Sequence, residues 1–370
     1  MKKQQGYYRY PTINGNQIVF TAEDDLWSTV IGNLKSVRLT TNLSEVSHPR
    51  LSPNGELLAF TGREDGNSEV YVMSSQGGTA ERLTFQGANI KVSGWDNDDI
   101  IYTSDSGQPF MRHMELFRID SSGGYPQKLP YGLAHDIGIS EFGGVVLGRN
   151  TLDPARWKRY RGGTAGELWI DSQGNGKFKR LLNLKGNFAS PMWINGRIYF
   201  ISDHEGIGNI YSCGLNGSNI RKHSDQTEYY ARNASTDGCQ IVYHAGGDIY
   251  LLDPSNGDDM KMEIDFKSPK IQASRKFVSA SNGFQDYSLN QDASLIALNV
   301  RGKSIALGAW EGPVYQQGDR QGVRYQHINF HSDNKRIVVV SDKGGSERLE
   351  IHHIKESKRP LVFPSLDFGR

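Results

Sequence analysis

Serine, histidine and acidic residues occur throughout this chain of 370 residues, so the first question is whether any of them has the spacing of a catalytic site. A hydrolase nucleophile elbow needs Gly-x-Ser-x-Gly between a strand and a helix. The nearest match, Gly138-Ile139-Ser140-Glu141-Phe142, lacks the second glycine and is typical of a turn. The ten histidines are spread along the whole chain, so no Ser-His-Asp triad can be assembled. We therefore predict that this chain has no catalytic residues.

Metal-ligand spacing is equally weak. His327 and His331 are four residues apart, but their surroundings predict a strand, in which four residues span roughly 13 Å. His352 and His353 are adjacent and would face opposite sides of a strand. The acidic clusters 23–25 and 96–99 lack the glycine and closing glutamate of a calcium loop. The sequence predicts no metal site and no cofactor.

A glycine-rich stretch at 161–166 resembles a phosphate loop only superficially. It lacks the Gly-Lys-Ser/Thr ending and precedes a predicted strand, not a helix whose N-terminus could bind an anion. The residues just before it, 156–161, form the strongest basic and aromatic patch of the chain. We treat Arg159 and Arg161 as candidate binders of a peptide carboxylate or an acidic partner.

The elements that would position these residues form a repeat. A turn signal such as Asn-Gly or Asp-Gly is followed by a short β-branched or aromatic run, which predicts a hairpin. Eight such runs occur, and they begin at Ile18, Leu57, Ile100, Val145, Ile198, Ile241, Leu295 and Ile337.

A second signal lies a short loop after each of the first six runs. A polar residue is followed by an aliphatic and an aromatic residue, as in a half-buried strand. The triplets begin at Asp25, Glu69, Glu115, Glu167, Asn209 and Asp248, at steps of 39 to 52 residues. A third signal, a basic residue beside a β-former, ends the first four units, as in Arg38-Leu39 and Arg82-Leu83. The spacing predicts four-stranded β-propeller blades.

Composition limits the partners. The 42 Lys and Arg residues nearly cancel the 41 Asp and Glu residues, which argues against nucleic acid. No stretch approaches the roughly 20 apolar residues of a membrane span. Two cysteines suit a reducing compartment. We expect a cytoplasmic protein with no nucleic-acid or membrane partner.

The repeats predict an all-β fold. Six blades are well marked, the pattern weakens after Asp253, and two further units follow at roughly 277–322 and 323–363. A propeller must close on itself, so we favour a complete ring of six blades followed by the first two blades of a second ring. Spacing alone leaves a single eight-bladed ring open.

At particular stretches the chain resembles the N-terminal part of the tricorn protease family. The resemblance covers nearly the whole chain, including the long insertion in the fourth blade. It is carried by Asp24-Asp25-Leu26-Trp27, Trp157-Lys158, Tyr160-Arg161-Gly162-Gly163-Thr164, Leu168-Trp169-Ile170, Arg197-Ile198-Tyr199-Phe200-Ile201-Ser202-Asp203, Gly206, Gly208, Ile210-Tyr211-Ser212, Arg221-Lys222-His223, Tyr229-Tyr230 and Arg232.

The resemblance implies a six-bladed propeller over residues 7–270 and the first two blades of a seven-bladed one over residues 271–370. Members of the family continue into a PDZ-like domain and an α/β catalytic region, which would lie beyond this chain. They are oligomeric serine peptidases that degrade oligopeptides, and their propellers channel substrate and product. The implied partners are oligopeptides and, at full length, further copies of the chain.

One functional feature of the family maps to a loop within this chain. In the family, an adjacent pair of arginines in the loop before the third blade anchors the carboxylate of the substrate. The corresponding loop reads Gln86-Gly87-Ala88-Asn89-Ile90-Lys91 and has no arginine pair. Lys91 supplies a point charge in place of a bidentate fork, so it is a candidate substrate-binding residue.

Two functions remain from the sequence: the channelling propeller region of a tricorn-like serine peptidase, or a free-standing TolB-like propeller that binds a protein or peptide. An enzyme within the propeller would need convergent carboxylates or metal ligands at the channel mouth, and the sequence shows none.

Residues 1–370 should not hydrolyse peptides. Purified chain mixed with fluorogenic oligopeptides should release no fluorophore above buffer, because the catalytic region that the resemblance implies would lie beyond it. A known serine endopeptidase in the same assay is the positive control. Turnover that a serine-directed inhibitor abolishes would contradict this prediction.

Overall fold

The structure is a computed structural model that describes residues 6–41, 44–270, 278–356 and 358–363. Within these ranges the chain forms eight antiparallel four-stranded sheets whose strands lie in sequence order, which confirms the predicted all-β fold. The only helical segments described are two 3₁₀ turns, Pro154–Arg156 and Ser281–Gly283. No helix in these ranges is long and apolar enough to cross a bilayer.

Two compact units divide the chain, Met1–Ala273 and Ser274–Arg370. The first unit contains six sheets. Sheet 1 consists of β1 (Arg9–Asn14), β2 (Gln17–Ala22), β3 (Asp25–Val30) and β4 (Asn33–Arg38). Sheet 2 consists of β5 (Ser47–Leu51), β6 (Leu57–Gly62), β7 (Glu69–Ser74) and β8 (Glu81–Arg82). Sheet 3 consists of β9 (Ile90–Asp96), β10 (Asp99–Ser104), β11 (Glu115–Asp120) and β12 (Gln127–Leu133).

Three further sheets complete the first unit. Sheet 4 consists of β13 (Asp136–Ile139), β14 (Val145–Arg149), β15 (Glu167–Asp171) and β16 (Lys179–Arg180). Sheet 5 consists of β17 (Phe188–Ile194), β18 (Arg197–Ser202), β19 (Asn209–Gly214) and β20 (Arg221–Lys222). Sheet 6 consists of β21 (Arg232–Thr236), β22 (Ile241–Ala245), β23 (Asp248–Leu252) and β24 (Asp259–Lys261).

The second unit contains two sheets. Sheet 7 consists of β25 (Phe284–Leu289), β26 (Leu295–Val300), β27 (Lys303–Gly308) and β28 (Tyr315–Gln317). Sheet 8 consists of β29 (Tyr325–Phe330), β30 (Arg336–Ser341), β31 (Arg348–His353) and β32 (Leu361–Phe363). They pack through a core that includes Ala297, Ala306, Tyr325 and Ile337.

In the first six blades the first sequence signal, the β-branched or aromatic run, lies in the second strand. The second signal, the polar-aliphatic-aromatic triplet, lies directly opposite it in the third strand. Phe60 pairs with Tyr71 and their rings stack at 5.7 Å; Tyr243 pairs with Tyr250 at 5.2 Å. Such cross-strand pairs stabilise a sheet and define its register. The recurring aromatic residue is therefore one half of a packing pair.

The polar residue that begins each triplet pairs with the basic residue of the outermost strand. Glu115 and Lys128 are 2.6 Å apart, and Asp248 and Lys261 are also 2.6 Å apart. In sheet 5 an asparagine takes this position and accepts a hydrogen bond from a serine hydroxyl. The same ion pair recurs as Asp25–Arg38, Glu69–Arg82 and Glu167–Arg180.

The six sheets of the first unit close into a ring, because the innermost strand of each sheet contacts that of the next and β1 contacts both β21 and β22. Within the described ranges every sheet consists of four consecutive strands of the chain. The Tyr8 amide donates to the Gly247 carbonyl at 2.8 Å, and the Ser235 hydroxyl donates to the Pro11 carbonyl at 2.9 Å. A parallel bridge joins Lys35 of β4 to Asp265.

An apolar core fills the junction of sheets 1 and 6. The Phe266 ring lies 4.6 Å from Trp27 and 5.4 Å from Tyr8. Met262, Ile264 and Phe266 are all buried, in strand-like alternation with charged residues. The sequence pattern looked weak after Asp253 because these three apolar residues are interleaved with Lys261, Glu263, Asp265 and Lys267.

Removing the Phe266 ring should weaken the closure. Phe266→Ala should lower the free energy of unfolding by about 3–5 kcal/mol, because it leaves a cavity in a packed core. Phe142→Ala is the matched control, since Phe142 is 94% exposed, and it should change stability by less than about 0.5 kcal/mol. Urea denaturation measures both, and equal effects would contradict the assigned closure.

Candidate functional site

All six blades run in the same direction, so the starts of their innermost strands meet at one end of the central channel. We call this end the channel mouth. It is formed by the first residues of β1, β5, β9, β13, β17 and β21, together with the β14–β15 loop, residues 150–166.

Five of the six innermost strands carry a β-bulge near the mouth. In β1, Arg9 pairs with Thr21 and Thr12 pairs with Val19, so β1 has one residue more than β2. The same irregularity occurs in β5, β9, β17 and β21, whereas β13 pairs regularly. Four bulges place a non-glycine residue at a φ of 48–50°: Tyr10, His48, Ser190 and Asn233. In the fifth, the extra residue is Ser93.

Four cations lie on the innermost strands, and three of them pair with a carboxylate. Arg9 lies 3.0 Å from Glu45. Lys91 forms an ion pair with Asp136, and Arg232 donates to Asp153 from Nε at 2.7 Å. These three charges are largely neutralised.

Arg50 is the fourth cation, and its partners are neutral. Its Nε donates to the Ser93 carbonyl at 3.1 Å and its Nη1 to the Pro49 carbonyl at 2.9 Å. Within the described part of the chain, no carboxylate oxygen lies at ion-pair distance from it. Burial lowers the pKa of Arg50 to about 10, so the guanidinium stays charged at neutral pH. The charge of Asp136, which pairs with Lys91, opposes this lowering, so Arg50 is a cation of the mouth that makes no ion pair among the described residues.

Three histidines at the mouth are held neutral. Burial, reinforced by the charge of Lys91, lowers the pKa values of His48 and His135. Burial also lowers the pKa of His244 to about 3, with contributions from Arg232 and Arg9. Both ring nitrogens of His244 lack a hydrogen-bond partner among the described residues.

The β14–β15 loop is fastened to two other sheets. Asp203, which follows β18, has a fully buried side chain that accepts hydrogen bonds from the Arg159 amide at 2.8 Å and from Arg161 Nη1 at 2.9 Å. The amide of Asn187 donates to the same carboxylate at 2.8 Å. Asp153 of the loop binds Arg232 of sheet 6. The loop therefore connects sheets 4, 5 and 6.

The three candidate residues from the sequence lie in different settings. Lys91 is at the mouth, paired with Asp136. Arg161 binds Asp203 through its side chain, and the exposed Arg159 binds it through its main-chain amide. Near them the Trp157 and Tyr160 rings stack at 4.3 Å. The basic and aromatic patch is thus the outer face of the fastened loop.

Sequence reasoning missed Arg50, Tyr10 and His244. One signal was present: Tyr10, His48 and Ser190 each precede a proline shortly before an Asn-Gly turn. The structure also places His327 within β29 and His352 at 2.9 Å from Glu350 in β31. Among the described residues no cluster of ligands could hold a metal ion.

A crevice of about 540 Å³ opens between sheets 2 and 3 on the same side of the ring. It is lined by Arg63, loop residues 86–89, Asp105 and Met111. Arg63 also contributes to the lowered pKa of His48, so the crevice adjoins the mouth. The loop that precedes the third blade therefore lines one side of this crevice.

These features define a closed β-propeller whose channel mouth carries three ion-paired cations and Arg50. Comparison with known proteins identifies the family. The model of the tricorn protease N-terminal beta propeller domain matches residues 5–258. The chain belongs to this family, which confirms the resemblance found in the sequence.

A tricorn protease homolog of Saccharolobus solfataricus is 36% identical over 97% of this chain and 34% of its own length. The tricorn protease of Thermoplasma acidophilum is 33% identical over 90% of this chain and 32% of its own. A putative tricorn-like protease N-terminal subunit of Sulfurisphaera tokodaii is 34% identical over 45% of this chain and 87% of its own. The chain spans about a third of the length of the first two relatives.

Solved structures agree. The crystal structure of the tricorn protease matches 98% of this chain and 36% of its own, with a TM-score of 0.74 and 28% identity. TolB from Acinetobacter baumannii matches 64% of this chain and 59% of its own, with a TM-score of 0.50 and 16% identity. The TolB likeness shows the propeller fold alone, so the TolB-like alternative is the less supported one.

His244 should make stability depend on pH. Its folded pKa of about 3 lies below the ordinary value of 6.5, so the unfolded chain binds more protons between these values and stability falls as pH falls. From pH 6.5 to pH 5 this histidine should contribute a loss of about 2 kcal/mol.

His244→Leu should flatten the pH dependence by that amount in urea denaturation, whereas replacing the exposed His113 by leucine should not. If both variants keep the wild-type slope, His244 is not held neutral.

Proposed function

We propose that the six-sheet ring is the peptide-channelling propeller of a tricorn-type serine peptidase, and that Arg50 attracts the carboxylates of oligopeptides to its mouth. The observation that carries this is the guanidinium of Arg50, which lies on the innermost strand β5 and, among the described residues, is hydrogen-bonded only to carbonyl oxygens. Family membership over residues 5–258 supports the peptidase context.

The charge arrangement favours an anionic ligand at one point. A channel walled by protein concentrates the field of a charge that has no ion-pair partner and raises the local concentration of counter-ions. Arginine binds carboxylates through paired N–H groups, and Nη2 of Arg50 makes no hydrogen bond within the described residues. Oligopeptides carry such a carboxylate at their C-terminus.

The candidates from the sequence take supporting roles in this proposal. Lys91 is 26% exposed and holds Asp136, so it balances the carboxylate nearest to the entering peptide. Arg161 fastens the β14–β15 loop, and Arg159 presents its side chain to solvent beside the Trp157–Tyr160 stack. Arg159 is therefore one of the exposed cations that a peptide approaching this loop would meet.

The wider organisation is part of the same proposal. Residues 7–270 act as the ring and residues 271–370 as the first two blades of a second, seven-bladed propeller. Because the chain spans about a third of the length of the first two relatives, peptide hydrolysis is assigned to a region outside residues 1–370. The complete protein acts as a cytoplasmic homo-oligomer.

Peptide binding to residues 1–370 tests the role of Arg50. A fluorescein-labelled peptide with a free C-terminal carboxylate should bind roughly tenfold more tightly than its C-terminal amide, because a hydrogen-bonded charge pair contributes about 1.5–3 kcal/mol. Arg50→Gln should weaken binding of the acid and leave that of the amide unchanged. Fluorescence anisotropy measures all four affinities.

Arg221→Gln is the control, since Arg221 is exposed on the outermost strand of sheet 5, away from the mouth. It should bind both peptides as the wild type does. Equal binding of acid and amide by the wild-type chain would overturn the proposed role without any appeal to a variant.

A further inference from the structure

The five bulges share a position and a chemistry that the charge of Arg50 does not explain. Each adds one residue to an innermost strand close to the channel mouth. We call these residues the bulge ring: Tyr10, His48, Ser93, Ser190 and Asn233.

The backbone at four of these positions is unusual. Left-handed φ values are uncommon for residues other than glycine, and at Tyr10 and His48 a proline follows, which restricts the backbone further. A strained conformation that recurs in several blades is maintained by the surrounding fold and marks functional positions more often than chance. A bulge also redirects the side chain of its extra residue.

Adjacent members of the bulge ring are close together. The Tyr10 and His48 rings, from sheets 1 and 2, lie 4.1 Å apart. The carbonyl of Ser93 in sheet 3 accepts a hydrogen bond from Arg50 in sheet 2. The bulges of sheets 1 and 2 are therefore in direct ring contact, and the bulge of sheet 3 is joined to sheet 2 through Arg50.

None of the five side chains is an acid, a lysine or an arginine, although cations lie one or two residues away in four of these strands. Arg9 precedes Tyr10, Arg232 precedes Asn233, and Lys91 lies two residues before Ser93. Hydroxyl, imidazole and amide groups both donate and accept hydrogen bonds. In these strands the residues that attract a charged ligand are therefore neighbours of the residues that form hydrogen bonds through neutral groups, but they are not the same residues.

Two members have buried polar atoms whose hydrogen-bonding capacity is not used within the described part of the chain. Among the described residues, Ser93 Oγ and Asn233 Oδ1 have no hydrogen-bond partner. Buried polar atoms without a protein partner are rare and are bound by water or by a ligand. Both atoms can accept a hydrogen bond from an N–H group, which is the donor that a peptide main chain presents at every residue except proline.

We infer that the bulge ring binds the main chain of an extended oligopeptide in the channel and does not read its side chains. This inference rests on the proposed function and deepens it by naming the groups that hold the peptide after its carboxylate has been attracted. Sheet 4 contributes no bulge; there Asp136 begins β13 and is held by Lys91 and by the Thr151 hydroxyl, which donates at 2.8 Å.

Backbone N-methylation tests this inference on residues 1–370. The probe is a labelled nonapeptide of glycine, serine and alanine with a free C-terminus, compared with the same peptide N-methylated at alternate internal amides. Methylation removes N–H donors and should weaken binding roughly tenfold. Replacing three alanines by leucine should change the affinity less than about threefold, because the side chains are not read.

Two variants locate the effect. Asn233→Ala and Ser93→Ala should each weaken binding of the unmodified nonapeptide by roughly threefold to tenfold and have little further effect on the N-methylated one. Asn175→Ala, in the exposed turn of sheet 4, is the matched control and should bind as the wild type does. Circular dichroism melts identify a variant that is simply unfolded.

The outcomes separate the two proposals. Binding that depends on the free carboxylate and on Arg50 but tolerates N-methylation would overturn the bulge-ring inference and leave the proposed function standing. Absence of binding by the wild-type chain would overturn both. A loss that follows leucine substitution as strongly as N-methylation would show that side chains are read, which also contradicts the inference.

Discussion

The junction between the sixth sheet and the first is the constraint on which the rest of the first unit depends. The residues at the mouth come from all six sheets, and the contact of Tyr10 of sheet 1 with His244 of sheet 6, at 6.2 Å between ring centroids, exists only when the ring is closed. In the part of the chain that the structure describes, no strand is exchanged between sheets, so closure depends on the apolar contacts of Tyr8, Trp27 and Phe266 and on a few main-chain hydrogen bonds. Apolar burial is non-directional, whereas the parallel bridge at Asp265 selects one register.

Most of the architecture could be predicted from the sequence because it is local and repeated. Turn dipeptides and the polar-aliphatic-aromatic triplets lie within single hairpins, and the structure places them in directly opposed strands, as for Phe60 and Tyr71. The basic residue that ends a blade was also visible, but its partner was not. A sequence shows that Lys128 is basic; only the fold shows that Glu115 lies 2.6 Å away.

The site was less predictable because its properties arise between blades. Nothing in the residue type of Arg50 distinguishes it from Arg9, yet one guanidinium binds carbonyl oxygens and the other binds carboxylates. A bulge is a mismatch between two strands, so it appears only when their register is known. In the sequence, two of the bulges coincide with the pairs Tyr10-Pro11 and His48-Pro49. A residue that precedes proline is ordinarily extended, so these pairs do not predict the left-handed φ that the structure shows.

Asp203 has a consequence for the energetics of any ligand at the mouth. Its buried carboxylate holds the β14–β15 loop through the Arg159 amide and the Arg161 guanidinium. The conformational entropy of that loop is therefore lost when the chain folds, and no comparable loss accompanies binding. This part of the channel mouth is already ordered before a ligand binds, so the affinity for a ligand reflects the contacts that it makes and not the cost of ordering the loop. Even a weakly bound, rapidly exchanging ligand can therefore be oriented.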